Sequence, residues 1–230
     1  MGYLSDSMLV AWGLLVSGDP EVMGIVLTSL NISGAAILIA ALIGVPVGLF
    51  LGVKRFPGRG GVLLVLNTLM ALPTVVVGLF VYGLISRQGP LGDWNLLFTP
   101  AGVILGECIL ALPIVANLTV AAVEGLDPRL GMTIKTLGGG AWRYARAILI
   151  EARPAIMAAV IAGFGRVVAE VGIAMMLGGN IRWYTRTMTT AVALETSKGE
   201  FAFALALGLA LLAVALLVNT VLSLLQRRAA

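Results

Sequence analysis

The sequence predicts an all-α bundle that crosses a membrane about five times, and three observations lead to this prediction. The chain of 230 residues is 60% hydrophobic and 11% charged, whereas soluble domains are about 45–50% apolar and about 25% charged. The apolar residues gather in segments of roughly 20 or more, the length that a helix needs to cross a bilayer. No segment shows the alternating pattern of a membrane β-barrel. We therefore expect one transmembrane domain over residues 1–230.

Five apolar segments are long enough to be membrane spans. They cover residues 24–53, 61–85, 100–123, 154–177 and 201–225. The apolar stretch at residues 8–16 is too short to cross, and it lacks the basic region and cleavage site of a signal peptide. It predicts a short N-terminal helix that lies in the membrane interface.

The positions of the cations predict the orientation of the chain. Ten lysines and arginines fall on one side of the predicted spans: Lys54, Arg55, Arg59, Arg129, Lys135, Arg143, Arg146, Arg153, Arg227 and Arg228. The other side has four: Arg87, Arg182, Arg186 and Lys198. Because cytoplasmic loops carry the excess of Lys and Arg, the side with ten is expected to be cytoplasmic. The N-terminus then lies outside and the C-terminus inside a bacterial or archaeal inner (plasma) membrane.

The chain contains no histidine and a single cysteine, Cys108. A triad that uses histidine, a histidine metal site and an internal disulfide are therefore excluded, and we assign no catalytic or metal-binding residue. The sequence also lacks the Gly-x-x-x-x-Gly-Lys-Ser/Thr loop that holds nucleotide phosphates. No ATPase site is expected on this chain.

A long cytoplasmic connection separates the third and fourth spans, at residues 124–153. Asp127 followed by Pro128 is typical of a helix start, with Asp as N-cap and Pro at the first helical position. Glycines at 138–140 then interrupt the helix, and a second short helix is expected at residues 141–150. This helix–glycine–helix element is either a solvated amphipathic connector or a docking surface for a cytoplasmic partner.

Two ionisable residues fall inside the fourth span, with Arg166 near its centre and Glu170 four residues later. An arginine at the bilayer centre costs about 2.5–3.5 kcal/mol on insertion scales, so it should face protein or water. At this spacing the two side chains can pair, which either locks the bundle or holds the guanidinium beside the pathway of an anion. Glu107, in the third span, would repel an anion, so we interpret it as a helix contact or the partner of a cation.

Helix-breaking and small residues recur within the spans. Met-Ala-Leu-Pro ends at Pro73 and Leu-Ala-Leu-Pro ends at Pro113. Each proline removes a backbone hydrogen bond and marks either an ordinary kink or a helix that lines a pathway. Gly44, Gly48 and Gly52 recur every four residues, which favours close helix packing within the bundle or between two copies.

The connection at residues 124–153 resembles the coupling loop of ABC importer permeases, which inserts into a groove on the ATPase subunit. The likeness lies in Asp-Pro-Arg-Leu at 127–130, Lys-Thr-Leu-Gly at 135–138 and Trp-Arg at 142–143. Where the family's EAA loop has Glu-Ala-Ala, this chain has Met-Thr-Ile at 132–134. The resemblance implies these ATPase-coupling residues: Asp127, Arg129, Met132, Lys135, Leu137, Gly138, Gly139, Trp142 and Arg143.

Four other segments resemble permeases of the molybdate, sulfate and tungstate group. Residues 163–172 and 178–181 resemble the group as a whole, and residues 67–73 and 194–200 are most similar to its tungstate-type members. The resemblance covers about residues 18–225 and implies the fold of a type I ABC importer permease.

Under this resemblance the chain moves an oxyanion inward, with tungstate favoured, by alternating access driven by a separate ATPase. The implied partners are a second copy, two cytoplasmic ATPase subunits that carry ATP and Mg²⁺, an extracytoplasmic oxyanion-binding protein and lipid, with no nucleic acid and no cofactor on this chain. The candidate pore or gate residues are Pro73, Pro113, Arg166 and Glu170. The candidate contacts with the binding protein are Asn180, Arg182 and Arg186.

Three alternatives remain open. The chain is a molybdate or sulfate permease of the same type, or it is a stand-alone channel or ion-coupled carrier in which Arg166 and Glu170 form the ion site. A scaffold subunit that transports nothing is disfavoured by the polar, kinked interior. The loop at residues 178–186, with its Trp and Tyr, is either an interfacial anchor or a docking surface.

Overall fold

The computed structural model describes residues 2–136 and 140–229, and it has no strand among them. Ten α-helices follow one another along these residues. They are α1 (Tyr3–Val16), α2 (Pro20–Val53), α3 (Arg59–Met70), α4 (Thr74–Ile85), α5 (Pro100–Glu124), α6 (Pro128–Thr136), α7 (Ala141–Val168), α8 (Gly172–Gly178), α9 (Met188–Lys198) and α10 (Phe201–Ala229). The predicted all-α fold class is confirmed.

Four helices are long and apolar enough to cross a membrane: α2, α5, α7 and α10. The helices α3 and α4 pass the same test together and form a fifth span if the bent pair counts as one. The predicted number of spans is thus confirmed. The helix α1, with 14 residues, is too short to cross, and it packs against α10 with the Tyr3 and Phe201 ring centroids 5.5 Å apart. Its place in the membrane interface stays a prediction.

The second span is broken in its middle. Residues 71–73 separate α3 from α4, and the two helix axes differ in direction by 100°. Pro73 has no N–H to continue the ladder of α3, and its ring disfavours helical backbone at the preceding Leu72. The proline pattern therefore marks a break at this position rather than a mild kink.

The predicted end of the fourth span at Leu177 is wrong, and so is the expected separation of a short helix at residues 141–150 from that span. The helix α7 runs without interruption from Ala141 through Pro154 to Val168, so the short helix expected at 141–150 is only its first part. The span does not continue to Leu177, because α7 ends at Val168 and the seven-residue α8 begins at Gly172. The second part of the predicted coupling loop and the fourth span thus belong to one continuous helix.

The helix α5 lies at the centre of the bundle, where it packs on α2, α3, α4, α7 and α8. Its most extensive packing is against α2, where the two helices are in close contact at the glycines predicted to form a packing stripe. A Cβ at Gly48 would lie 2.5 Å from the carbonyl oxygen of Ala116, and one at Gly52 would lie 2.7 Å from the Cβ of Val123. The glycine stripe therefore packs within the chain. Exposed apolar side chains on α4 and α10, such as Phe80 and Leu216, are left for lipid or another subunit.

Candidate functional site

The break between α3 and α4 lies beside a second break, between α7 and α8. A Cβ at Gly172, the first residue of α8, would lie 3.6 Å from Oγ1 of Thr74, the first residue of α4. The helices α4 and α8 pack against each other. Irregular backbone at membrane depth is tolerated only where it is buried in protein or lines a water-filled cavity. The junction of the two breaks is therefore the leading candidate for the functional site.

The predicted pair of Arg166 and Glu170 lies at this junction. Nη1 of Arg166 donates to Oε2 of Glu170 over 2.8 Å. Arg166 occupies the last turn of α7, not the centre of an uninterrupted helix, and Glu170 lies beyond the end of α7. The Glu170 side chain is 3% exposed, whereas that of Arg166 is 43% exposed. The carboxylate of Glu170 is thus buried, whereas the guanidinium of Arg166 is accessible from the surface of the single chain.

Glu170 also satisfies the backbone of the break. Its Oε1 accepts hydrogen bonds from the N–H groups of Gly172, at 2.9 Å, and Ile173, at 3.3 Å. Its own carbonyl oxygen accepts from Oγ1 of Thr189, on α9, at 2.7 Å. One side chain therefore caps the start of α8 and holds Arg166, while a hydroxyl from a distant helix satisfies the carbonyl.

The exposed face of Arg166 gives the junction its chemistry. A guanidinium has five N–H donors in a planar fork and is always protonated. Among the described ion pairs, Arg166 uses only Nη1. Its other donors suit the oxygens of an oxyanion, and the neutralising carboxylate of Glu170 weakens the attraction. Weak, reversible contact with an anion is what this arrangement supports.

The two prolines of similar sequence occupy different environments. Pro73 is exposed at the break between α3 and α4, whereas Pro113 is buried and α5 continues through it. Near the first break, Nδ2 of Asn117 donates to Oδ1 of Asn67 and lies 3.0 Å from Sδ of Met70. This amide pair joins α3 to α5 beside the break.

Glu107 is buried in α5, with 1% of the residue exposed. Its Oε2 has no hydrogen-bond partner, and none of the ion pairs among the described residues includes it. Of the two interpretations, the structure favours a buried helix contact over an ion-paired group.

The predicted coupling loop, residues 124–153, consists of α6 and the first part of α7. Oδ1 of Asp127 accepts from the N–H of Arg129 at 2.8 Å, which caps α6 as the Asp-Pro pattern predicts. Arg129 and Arg143 are exposed, and so are the apolar side chains of Met132, at 60%, and Trp142, at 80%. Lys135 lies on α6. The predicted contacts Leu137, Gly138 and Gly139 lie outside the described residues.

The three predicted outer contacts are held by internal bonds. Asn180 accepts from Oγ1 of Thr190 at 3.0 Å. Arg182 pairs with Glu21 and remains 56% exposed. Arg186 is only 11% exposed, and its Nη1 lies 3.5 Å from Glu21 and 3.6 Å from Glu195.

These ion pairs surround a cavity of about 340 Å³ between the start of α2, the loop after α8 and the end of α9. Two carboxylates, Glu21 and Glu195, face three cations, Arg182, Arg186 and Lys198. The ion pairs join these elements, and because Glu200 also lines the cavity, its carboxylates and cations balance, three against three.

Several contacts of the site were not predicted from the sequence. The role of Thr189 depends on a contact with a residue 19 positions away, which no local pattern reveals. The amide pair of Asn67 and Asn117 joins residues 50 positions apart. A usable signal was present, since two Asn side chains within predicted spans require polar partners.

The chain is similar in sequence to membrane components of known transport systems. A family model described as binding-protein-dependent transport system inner membrane component matches residues 44–230. The tungstate uptake system permease protein of Campylobacter jejuni is 41% identical over 227 residues, which are 99% of this chain and 95% of that one. The molybdenum transport system permease protein of Escherichia coli is 30% identical over 196 residues, 81% of this chain and 85% of that one.

A solved structure of a methionine ABC transporter in inward-facing conformations matches with a TM-score of 0.73 at 18% identity. The match covers 91% of this chain and 96% of that one, and it confirms the expected fold of a type I ABC importer permease. This identity supports the fold alone. The match of residues 44–230 shows that the chain belongs to the family of binding-protein-dependent transport system inner membrane components, as a multi-pass membrane protein.

Proposed function

We propose that this chain is the permease subunit of an ABC importer that moves tungstate into the cell. The observation that carries the proposal is the 41% identity with a tungstate uptake permease over 99% of the chain. The guanidinium of Arg166 lies beside two helix breaks, is 43% exposed and is paired with Glu170. This position and charge support the passage of an oxyanion. Tight binding within a pathway would slow release of the anion. A single arginine that is partly neutralised by a carboxylate therefore suits transport better than a cluster of unpaired cations.

The transport cycle needs partners that this chain does not supply. Two copies of the chain enclose the pathway, two cytoplasmic ATPase subunits bind ATP with Mg²⁺, and an extracytoplasmic protein captures the anion. The chain itself has no ATPase activity and holds no cofactor. ATP-driven closure of the ATPases draws the two coupling loops together and turns the pathway from inward-facing to outward-facing.

The ATPase-facing surface of the coupling loop combines exposed apolar and cationic side chains. Met132 and Trp142 are large apolar residues left in water, which is typical of a protein-binding patch. Arg129 and Arg143 are exposed beside them and suit an acidic rim on the ATPase groove. Lys135, Leu137, Gly138 and Gly139 belong to the same proposed surface by sequence.

The outer surface is proposed to contact the binding protein mainly through Arg182. Its guanidinium is 56% exposed and lies 5.6 Å from the ring centroid of Trp183, so it can reach an acidic partner. Asn180 and the buried Arg186 are proposed to shape this surface from behind. The positive-inside distribution of cations supports the proposal that the N-terminus lies outside and the C-terminus in the cytoplasm.

Molybdate or sulfate is the second candidate substrate, favoured by the 30% identity with a molybdenum transport permease. A stand-alone carrier using Arg166 and Glu170 is the alternative mechanism. The two mechanisms differ in their need for an ATPase.

The proposal is tested by co-expressing the chain with a cognate ABC ATPase subunit and a cognate tungstate-binding protein. The importer predicts that the ATPase co-purifies with the chain and that tungstate-loaded binding protein stimulates ATP hydrolysis in vesicles several-fold over the unloaded protein. A second arm of the test replaces Trp142 by Ala, which should reduce the amount of ATPase bound. Tungstate flux through vesicles that contain the chain alone would instead establish the carrier.

A further inference from the structure

Arg59, the first residue of α3, joins three helices at the cytoplasmic ends of the bundle. Its Nε donates to the carbonyl oxygen of Leu51 at 2.7 Å, and its Nη2 donates to Oε1 of Glu124 at 2.5 Å. Leu51 lies in the last turn of α2, and Glu124 is the last residue of α5. The side chain of Arg59 is 11% exposed and that of Glu124 is 39% exposed, so the guanidinium is largely buried while the carboxylate still meets water.

Each acceptor suits this bridge for a physical reason. Carbonyls in the last turn of a helix lack an intrahelical donor, and the guanidinium supplies one to α2. The carboxylate of Glu124 adds charge to the second bond, which strengthens it. A lysine has one nitrogen in place of the planar fork and cannot reproduce both bonds in the same geometry.

Glu124 is the last residue of α5 and the first residue of the predicted coupling loop. Three residues later, Asp127 caps α6 through the N–H of Arg129. The turn between them is short and ordered by hydrogen bonds from Gly125 to Ala121 and from Leu126 to Val123. These bonds make the turn a short, hydrogen-bonded connection between Glu124 and the start of α6.

The far half of α3 is also bound to α5. Asn117 donates to Asn67 one turn before α3 ends at Met70. With Arg59 at one end and Asn67 near the other, α3 is held to α5 along its length. The 100° break at residues 71–73 follows directly, and beyond it α4 packs on α8 as well as on α5. The break is thus the point where α3, which α5 holds, meets α4, which also contacts α8.

From these contacts we infer that Arg59 is a positioning residue that transmits movement of the coupling loop to α3, and through α3 to the break beside Arg166. The bridge formed by Arg59, Leu51 and Glu124 is the mechanical link between the ATPase stroke and the pathway. This inference rests on the proposed function, because it requires an ATPase that moves α6.

The test uses the complete transporter in vesicles and replaces Arg59 by Met, which keeps the apolar stem and removes the fork. The matched control is Arg55→Met, since Arg55 approaches the same Glu124 at 3.7 Å but is 74% exposed. Three quantities are measured: ATPase bound per chain, ATP hydrolysis stimulated by tungstate-loaded binding protein, and tungstate uptake. Arg59→Met should keep bound ATPase and stimulated hydrolysis within about twofold of wild type.

Uptake by Arg59→Met should fall at least fivefold, so that the ATP hydrolysed per anion rises by at least about 2.5-fold. Arg59→Lys should recover part of this ratio, and Arg55→Met should leave it unchanged. Glu124→Gln, which keeps an acceptor but removes the charge, should raise the ratio less than Arg59→Met does. If Arg59→Met fails to assemble, the Glu124→Gln ratio alone decides the inference.

The inference is overturned if hydrolysis and uptake fall in proportion in these variants, because that pattern indicates a purely structural bridge. It is also overturned if the ratio stays at the wild-type value. Both results leave the proposed function intact when the wild-type complex transports. A wild-type complex that takes up neither tungstate, molybdate nor sulfate would overturn the proposed function and the inference together.

Discussion

At the scale of single residues, Glu170 has two separate tasks. It neutralises Arg166 and it caps α8 through the N–H groups of Gly172 and Ile173. Its side chain is 3% exposed, so loss of its cation would leave a buried charge with only backbone donors. Arg166, which is 43% exposed, can be hydrated when the pair opens. The pair is thus asymmetric.

This asymmetry predicts that Arg166→Ala destabilises the protein by about 2–3 kcal/mol, below the range for fully buried pairs because Arg166 is partly in water. Adding Glu170→Gln to Arg166→Ala should restore at least half of this loss, since the amide oxygen still accepts the two N–H groups without a buried charge. Thermal unfolding in detergent measures both values. A double variant less stable than Arg166→Ala would contradict this division of tasks.

Gly48 sets how closely α2 and α5 approach. A Cβ at this position would lie 2.5 Å from both the Ala116 carbonyl oxygen and the Thr119 Cβ. We expect Gly48→Ala to lower the free energy of unfolding by about 1–3 kcal/mol, because the helices must separate. Gly34→Ala on the same helix is the control, since no atom lies within 4 Å of its added methyl group. Equal effects of the two substitutions on unfolding temperature would contradict the packing explanation.

At the scale of helices, the contrast between the two prolines has a functional consequence. Pro73 ends a 100° break on an exposed surface, whereas Pro113 is buried within the continuous α5. Pro73→Ala should reduce uptake at least fivefold, because α3 can then extend across the break. Pro113→Ala should change uptake less than twofold, with its cost appearing in stability. Uptake assays normalised to membrane protein measure the difference, and a larger loss for Pro113→Ala would contradict it.

The helices also show what hydropathy predicts and what it does not. The number of spans follows from apolar length, and the start of α5 at Pro100 coincides with the predicted start of the third span. The end of α7 at Val168 cannot be predicted from hydropathy, because most of the residues that follow it are as apolar as those of a membrane span. The break there depends on the Glu170 carboxylate and on Thr189 from another helix, and such long-range satisfaction leaves no local signal.

The site was predicted in part for the same reason. The spacing of Arg166 and Glu170 predicts their pair, since four residues is a local distance. Arg59 counted only as one of ten cytoplasmic cations, although it forms the bridge between α2, α3 and α5. Charge counting assigns a side of the membrane, while the contact of Arg59 with Leu51 and Glu124 depends on tertiary packing.

At the scale of the whole molecule, the cation distribution predicts which ends face the cytoplasm. A labelling experiment tests this after Cys108, which is buried, is replaced by Ala. Cysteine at Trp94, which is 69% exposed, should react with a membrane-impermeant maleimide in intact cells. Cysteine at Arg143 on the coupling loop should react only after the membrane is opened. The reverse pattern would contradict the orientation with the N-terminus outside.

A separate ATPase is proposed to drive tungstate through this chain. The most direct measurement is tungstate uptake into proteoliposomes that hold the complete complex, with ATP enclosed and loaded binding protein outside. We predict accumulation that stops without ATP and falls at least tenfold in Arg166→Ala at equal amounts of complex. Uptake that is equal with and without ATP would contradict the account.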